Sequence, residues 1–296
     1  MKNHTKLIYF LIFIIIIVSC SFIYKRILDT RLKKSKGNIN EINKKDYKIK
    51  NNEDIAKSDL NNKKNVYIDE KVYIEKSVEQ RELKIYVLGK ETNSNKIAIL
   101  GSMHGDEPQG KYIVEQLMNY IKNNPEIIKN TQIMFIPAIN PDGLARCTRV
   151  NAHKIDLNRN FPTKNWEASG KNSRYYSGSK PASQPEVNVL INYINKFNPQ
   201  CIINIHSPLK VINYDGVNSK KIAELMSKYN KYKIVGDIGY PTPGSFGTYF
   251  GKERNISVIT LETSSEDGHI VWQKNKKSIL EVIKYFDNNS ENKEIN

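Results

Sequence analysis

The sequence predicts an α/β protein with a mixed, mostly parallel central sheet, helices on both faces and an N-terminal transmembrane helix in front. Three observations lead there. Short apolar runs such as Ile97–Leu100, Cys201–Ile205 and Ile256–Leu261 alternate with segments whose apolar residues recur at helical spacing, the pattern of a parallel sheet covered on both sides. Two adjoining segments, Val72–Val78 and Glu82–Leu88, read as a hairpin and add antiparallel pairing. Residues 7–24, LIYFLIFIIIIVSCSFIY, carry no charge and at about 1.5 Å per residue reach about 27 Å, enough to cross a hydrocarbon core.

The first 66 residues are otherwise charged. Of the net charge of +15 in 296 residues, +9 falls within residues 1–65, so the basicity belongs to a tail. That distribution argues against a nucleic-acid-binding surface. Residues 1–6 form a short basic start and 7–24 a signal anchor. Residues 25–66, rich in Lys, Asn, Asp and Glu, lack the apolar content to offset ordering entropy and read as a flexible linker. Ile17-Val18-Ser19-Cys20 also resembles a lipobox, which makes lipidation at Cys20 the alternative to an uncleaved anchor. Either way the expectation is a membrane-anchored protein with its folded part outside the cytoplasm, although Lys25, Arg26, Arg31, Lys33, Lys34 and Lys36 pull the other way under the positive-inside rule. Cys20, Cys147 and Cys201 are the three cysteines; they lie too far apart to suggest a disulfide framework or a Cys-based metal site.

The folded part spans 67–288, with a polar tail at 289–296. After the hairpin comes the strand Ile97–Leu100, ended by Gly101. Tyr112, Ile113, Leu117 and Ile121 then mark a helix with Pro108 near its start. Thr131–Ile139 reads as a strand closed by a turn, Asn140-Pro141-Asp142-Gly143. Val187–Phe197 is helical, Cys201–Ile205 a strand, Ile222–Tyr229 helical, Ile256–Leu261 a strand and Val271–Phe286 a closing amphipathic helix.

Polar residues stand at the ends of three of these strands: His104 and Glu107 after the first, His206 after the second, Glu262 after the third. Any one of them alone is more often structural than functional. Together they supply two imidazoles and a carboxylate for one Zn²⁺, an open fourth position, and a free carboxylate to take a proton from water. Loops at the strand ends of such sheets are where ligands gather.

HGDE (104–107), NPDG (140–143), DLNRNFP (156–162), IHSP (205–208) and TLETS (260–264) occur in the order and approximate spacing of the M14-type zinc carboxypeptidases, which the chain resembles over roughly residues 72–287. The resemblance implies that fold and one zinc ion per chain held by His104, Glu107 and His206, with Glu262 as general base. It implies that Asp156 hydrogen-bonds His104, that Asn158 and Arg159 hold a substrate's terminal carboxylate, and that Arg146 supports the oxyanion, with Arg149 as the other candidate. Tyr240 matches the family's substrate-capping tyrosine.

HSPLKVINYDG (206–216) and YPTPGSFGTY (240–249) look like the murein tripeptide amidase branch, which cleaves the γ-D-glutamyl to meso-diaminopimelate bond. That implies peptidoglycan-derived peptides as substrates, with Asp215 and Asn213 as specificity contacts unless they form a plain Tyr-Asp-Gly turn. Two other readings stay open at this point: a deacylase of N-acyl amino acids like the aspartoacylase and succinylglutamate desuccinylase relatives, and an inactive wall-binding module.

Overall fold

The computed structural model describes residues 68–289. The apolar run at 7–24, Cys20 and the linker at 25–66 lie outside the described residues, as does most of the tail. Among the described residues, no helix is long and apolar enough to cross a membrane. The expected membrane-anchored, extracytoplasmic location is corrected accordingly, together with the transmembrane helix as part of the fold: the anchor rested on the hydropathy of 7–24 and on Cys20, and the side on the expected substrate.

Eight strands form one sheet. They are β1 (Glu70–Lys76), β2 (Glu82–Leu88), β3 (Asn95–Gly101), β4 (Thr131–Ile136), β5 (Cys201–His206), β6 (Val211–Asp215), β7 (Lys233–Val235) and β8 (Ser257–Glu262), in the order β1-β2-β4-β3-β5-β8-β6-β7. The four central strands β4, β3, β5 and β8 run parallel to one another. The hairpin pairs antiparallel and joins β4 antiparallel, and β6 lies antiparallel to β8. The architecture is thus mixed and mostly parallel, as the alternating pattern implies.

The central strands are mostly apolar because both their faces are covered. Side chains alternate across the sheet. Ile97, Ile99, Ile203 and Ile205 pack on one side with Ile113, Leu117 and Ile121 of α1 (Gln109–Asn123), Ile222 and Met226 of α4 (Ser219–Asn230), and Trp272, Ile279 and Ile283 of α5 (Gly268–Asn288). Ala98, Leu100 and Ile202 pack on the other with Val187, Leu190 and Ile194 of α3 (Pro185–Phe197) and with Phe161, Phe246 and Phe250. Cys201 is one of these packed residues; burial pushes its thiol up and leaves it inert.

Three local readings change. The strand expected over Thr131–Ile139 stops at Ile136. The Asn-Pro-Asp-Gly segment opens a short helix, α2 (Pro141–Arg146), rather than closing a turn. The Asn140 side chain accepts a hydrogen bond from Gly143 N at 2.8 Å and Pro141 takes the first helical position, so the same residues serve as an N-cap. The Val211–Asp215 segment is a paired strand, β6, and not a turn; at five residues, between β8 and the short edge strand β7, it is too brief to show a strong pattern.

Gly105 shows how tightly the loop after β3 is seated. A Cβ there would lie 1.9 Å from the backbone carbon of Gly143, so any side chain must push the loop off α2. Gly105→Ala is expected to cost about 1–3 kcal/mol, the usual range for overpacking. Gly170→Ala, where a Cβ meets nothing within 4 Å, is expected to change stability by less than about 0.5 kcal/mol. Urea unfolding of the two variants checks both values.

Candidate metal centre and substrate cleft

The register of the parallel strands places the candidate residues on one edge of the sheet. Gly101 of β3 lies beside Ile205 of β5, and His206 lies directly beside Glu262 of β8. The loop leaving β3 is tied by Ser102, whose Oγ donates to Glu107 O and accepts from Lys111 N, both at 2.9 Å. Glu107 N in turn donates to His104 O at 3.2 Å. This tight loop projects His104 and Glu107 side by side.

His104 Nδ1 lies 2.7 Å from Glu107 Oε1, and His206 Nδ1 lies 2.9 Å from Glu107 Oε2. The two Nδ1 atoms are 3.2 Å apart. All three residues are buried, and one donor atom from each falls within 4.8 Å of the others, so the three can hold a single metal ion. Two imidazoles and a carboxylate form the donor set of a catalytic zinc site that keeps one position open. A second feature agrees with that fit: Glu262 Oε2 is buried and has no hydrogen-bond partner among the described residues, a costly arrangement unless the site supplies one.

The outer nitrogens of both imidazoles are held. His104 Nε2 lies 3.2 Å from Asp156 Oδ1, which fixes the tautomer with Nδ1 free to face the metal. His206 Nε2 lies 2.9 Å from the Asn204 amide nitrogen, while Asn204 Oδ1 is buried and unpartnered among the described residues. A metal on Nδ1 leaves Nε2 protonated, and half a turn of the amide then presents Oδ1 as its acceptor.

Electrostatics follow from burial set against these pairings. Burial pulls the His104 imidazole down, but Glu107 and Asp156 outweigh it and leave the group raised to about 9. Burial alone would raise Glu107 and Asp156; His104 dominates both, aided by His206 for Glu107 and by Arg149 for Asp156, and holds them well below the usual carboxylate range. Glu262 is the exception. Burial raises it, and the two histidines only partly offset that rise. A carboxyl poised upward beside a metal-ligand set suits proton transfer.

Arg149 is the arginine that reaches this centre. Its Nε and Nη2 both lie 2.9 Å from Asp156 Oδ2, and Nη1 lies 3.7 Å from Glu107. Arg146, the first choice for the oxyanion role, is corrected: it sits on the outer side of α2, exposed, paired with Glu79 and away from the cleft. Only Cys147 and Thr148 separate the two arginines, but Cys147 ends α2 in a left-handed conformation and turns Arg149 inward. Cys147 itself is exposed.

The cleft around the centre encloses about 710 Å³ and includes Asn158, Arg159, Asp215 and Tyr240 in its wall. Arg159 is only 5% exposed. Its Nη1 donates to Asn158 O at 2.7 Å, and no carboxylate among the described residues lies within ion-pair distance. Asn158 Oδ1 accepts from Phe246 N at 2.8 Å, which leaves its amide nitrogen to the cleft. Tyr240 is half-exposed at the rim. Asp215 is buried on β6 and pairs with Lys252, while Asn213 Nδ2 donates to Val235 O at 3.1 Å. No sequence pattern points to Tyr175, whose ring lies 5.2 Å from both the Arg149 and Arg159 guanidinium carbons; it comes from an irregular loop without a period.

This fold and this site define a zinc-dependent hydrolase of peptide bonds. The chain belongs to the zinc carboxypeptidase family, peptidase M14, which it matches over residues 60–282. It is 31% identical over 207 residues to murein peptide amidase A of Vibrio campbellii, covering 66% of this chain and 79% of that one. It is 30% identical over 175 residues to murein peptide amidase A of Escherichia coli K12, covering 55% and 69%. Its fold is similar to the murein-tripeptide amidase MpaA of Escherichia coli O157, with a TM-score of 0.61 at 23% identity over 73% of this chain and 91% of that one. It is also similar to carboxypeptidase A of Helicoverpa armigera, with a TM-score of 0.62 at 17% identity over 73% and 68%.

The raised His104 has a consequence for the metal-free protein. Its folded value of about 9 exceeds the ordinary 6.5, so its pairing stabilises the fold fully below about pH 6.5 and is lost as pH rises through about 9. Zinc requires the neutral imidazole and displaces that proton. Calorimetry is expected to show the metal-free Tm falling between pH 6.5 and 9 and proton release on zinc addition at pH 8. A flat metal-free Tm over that range contradicts the pairing.

Proposed function

We propose that this zinc peptidase cleaves amide bonds in bacterial cell-wall peptide stems, at the bond between γ-D-glutamate and meso-diaminopimelate. The observation that carries the reading is the single cleft that joins the His104–Glu107–His206 set to a buried guanidinium, Arg159, without a carboxylate of its own. A buried cation facing a cleft is a receptor for a substrate carboxylate. The likeness to two murein peptide amidases supports the cell-wall choice. We assign the catalytic unit to residues 67–288, with 289–296 as a polar tail; the family match over 60–282 supports these bounds.

His104, Glu107 and His206 hold the zinc, and Asp156 orients His104. When bound, zinc supplies Lewis acidity toward the scissile carbonyl and brings the pKa of water to about 7. Glu262 takes the proton of the attacking water on Oε2 and then returns a proton to the leaving amine. Arg149 donates to the oxygen on which negative charge develops. Asn158 and Arg159 grip the substrate's terminal carboxylate, and Tyr240 closes over it at the rim. Asp215 faces the leaving residue.

Glu262→Gln is expected to abolish turnover of L-Ala-γ-D-Glu-meso-diaminopimelate while zinc stays bound at one per chain. His104→Ala is expected to lose the metal, and elemental analysis separates the two. Arg149→Met is expected to lower kcat about a hundred- to a thousandfold, the usual cost of one oxyanion donor, and Arg146→Met to leave it near wild type. A panel of murein tripeptide against N-acyl amino acids decides the substrate: hydrolysis of the latter alone replaces this reading with a deacylase.

A further inference from the structure

The edge of the sheet opposite β7 is open. β1 ends the strand order and pairs with β2 alone among the described residues. Gly89 N donates to Asp69 O and Ser77 N to Arg81 O, each at 3.0 Å, and both pairs continue the register that sets Tyr73 opposite Ile85. Hydrogen-bonded pairs alternate along an antiparallel ladder. Lys71, Tyr73 and Glu75 therefore bond to β2, while Glu70, Val72, Ile74 and Lys76 turn their N–H and C=O groups outward. Among the described residues no backbone hydrogen bond reaches those outward groups. Val72 is 47% and Ile74 53% exposed, so one face of the strand lies open as well.

A bare edge of this kind is a template for another strand. The sequence of β1, Glu70-Lys71-Val72-Tyr73-Ile74-Glu75-Lys76, reverses its charges about Tyr73. Laid antiparallel on a second copy with Tyr73 facing the partner's Tyr73, Glu70 meets the partner's Lys76 and Lys71 meets the partner's Glu75. Val72 meets the partner's Ile74. The outward groups match in the same register: Glu70 with Lys76 and Val72 with Ile74, each counted twice about the two-fold axis, exchange about eight backbone hydrogen bonds. On one face the four aliphatic side chains come together with a charge pair at each end; on the other the two tyrosines do.

Neighbouring registers lose this match. Turning about Val72 sets Glu75 against the partner's Asp69, and turning about Ile74 sets Val72 against a lysine and Tyr73 against a glutamate. Turning about Lys71 or Glu75 brings like charges face to face. Charges that merely guard an edge need no such order; here those of one copy attract those of the next. Glu70 and Lys71 already pair with Lys122 at 2.6 Å and Glu91 at 2.7 Å, and Glu75 accepts from Tyr193 OH at 2.8 Å. The two ion pairs are solvent-exposed, and such pairs cost little to share. The opposite edge offers nothing comparable, since β7 is three residues long.

We propose that β1 is a self-recognition edge, through which two copies of this chain join antiparallel about a two-fold axis at Tyr73. The contact is closed, because each copy spends its one long free edge on the other. No residue of β1 or β2 lines the cleft, so both reaction centres stay accessible in the dimer.

Sedimentation velocity of the zinc-loaded full chain over a concentration series tests this. A monomer–dimer equilibrium is expected below about 200 µM, the range of a small interface. Lys71→Glu is expected to weaken it about tenfold, since the axis counts each like-charge pair twice. Lys71→Glu combined with Glu75→Lys is expected to restore it. Turnover stays at the wild-type value in both, and circular dichroism verifies the fold. Register is read by cross-linking in a chain with Cys20 and Cys147 changed to Ser. Tyr73→Cys is expected to give a disulfide-linked dimer on mild oxidation. Ile74→Cys, whose two copies stand about 7–8 Å apart on the diagonal, is expected to give little. A chain that stays monomeric throughout, whether its edge remains open or another segment covers it, overturns the proposal. So does association that Lys71→Glu leaves unchanged, which places the contact elsewhere, or a dimer that the double variant fails to restore.

Discussion

The buried carboxylate of Asp156 ties together almost everything in the cleft that carries charge. Its Oδ1 accepts from Asn158 N at 2.9 Å and faces His104 Nε2, while Oδ2 holds Arg149 through two nitrogens. One fully buried group thereby starts the 3₁₀ turn Leu157–Arg159, sets the tautomer of a metal-ligand imidazole and aims a guanidinium. A charge at 0% exposure is tolerable only with such a complete set of donors, and the set is what makes the geometry unique. Removing the carboxylate would leave His104, Arg149 and the Asn158–Arg159 pair each without the contact that positions it.

Asp156 is in turn held from behind. The loop that leads to it from Arg149 folds around Asn151, whose Oδ1 accepts from His153 N and Ile155 N, both at 3.1 Å. Asn151 Nδ2 donates to Gln184 and to the buried Glu186 of α3. Glu186 also accepts from Val78 N in the first hairpin turn, and that turn is bound again through Ser77 and Glu79 N to Asp142 of α2. The rim of the cleft is therefore built on polar contacts between segments distant in sequence, whereas the sheet beneath it is built on apolar ones. Networks of this kind are rigid when every member is paired.

What could be read from the chain beforehand followed from what kind of force places each residue. The central strands were legible because burial on both faces forces continuous runs such as Ile97–Leu100, and the ends of those runs pointed to His206 and Glu262. The short strands β6 and β7 at the end of the sheet were not, since three to five residues with partial exposure leave no strong period in Val211–Asp215. Asn-Pro-Asp-Gly carries the residues of a turn and of a helix start alike, and only the chain that follows decides between them. The choice between Arg146 and Arg149 depended on the left-handed residue Cys147, a conformation that a cysteine does not announce. Tyr175 and Lys252 owe their positions to irregular segments and to tertiary contacts, beyond the reach of any local pattern.

The contact between Gly105 and Gly143 is a steric seam that joins the two most recognisable tetrapeptides of this chain. Each glycine belongs to a different signature, HGDE and NPDG, and the bare backbone of one abuts the bare backbone of the other. Gly105 answers to that close approach, while a Cβ on Gly143 would instead meet the Asn140 side chain and Val150 O, so both letters record steric constraints rather than chemistry. A descendant that had lost its metal and its activity would still be obliged to keep both glycines. For deciding whether a distant relative is alive as an enzyme, the informative letters are those flanking the seam, His104 and Glu107, and not the seam itself.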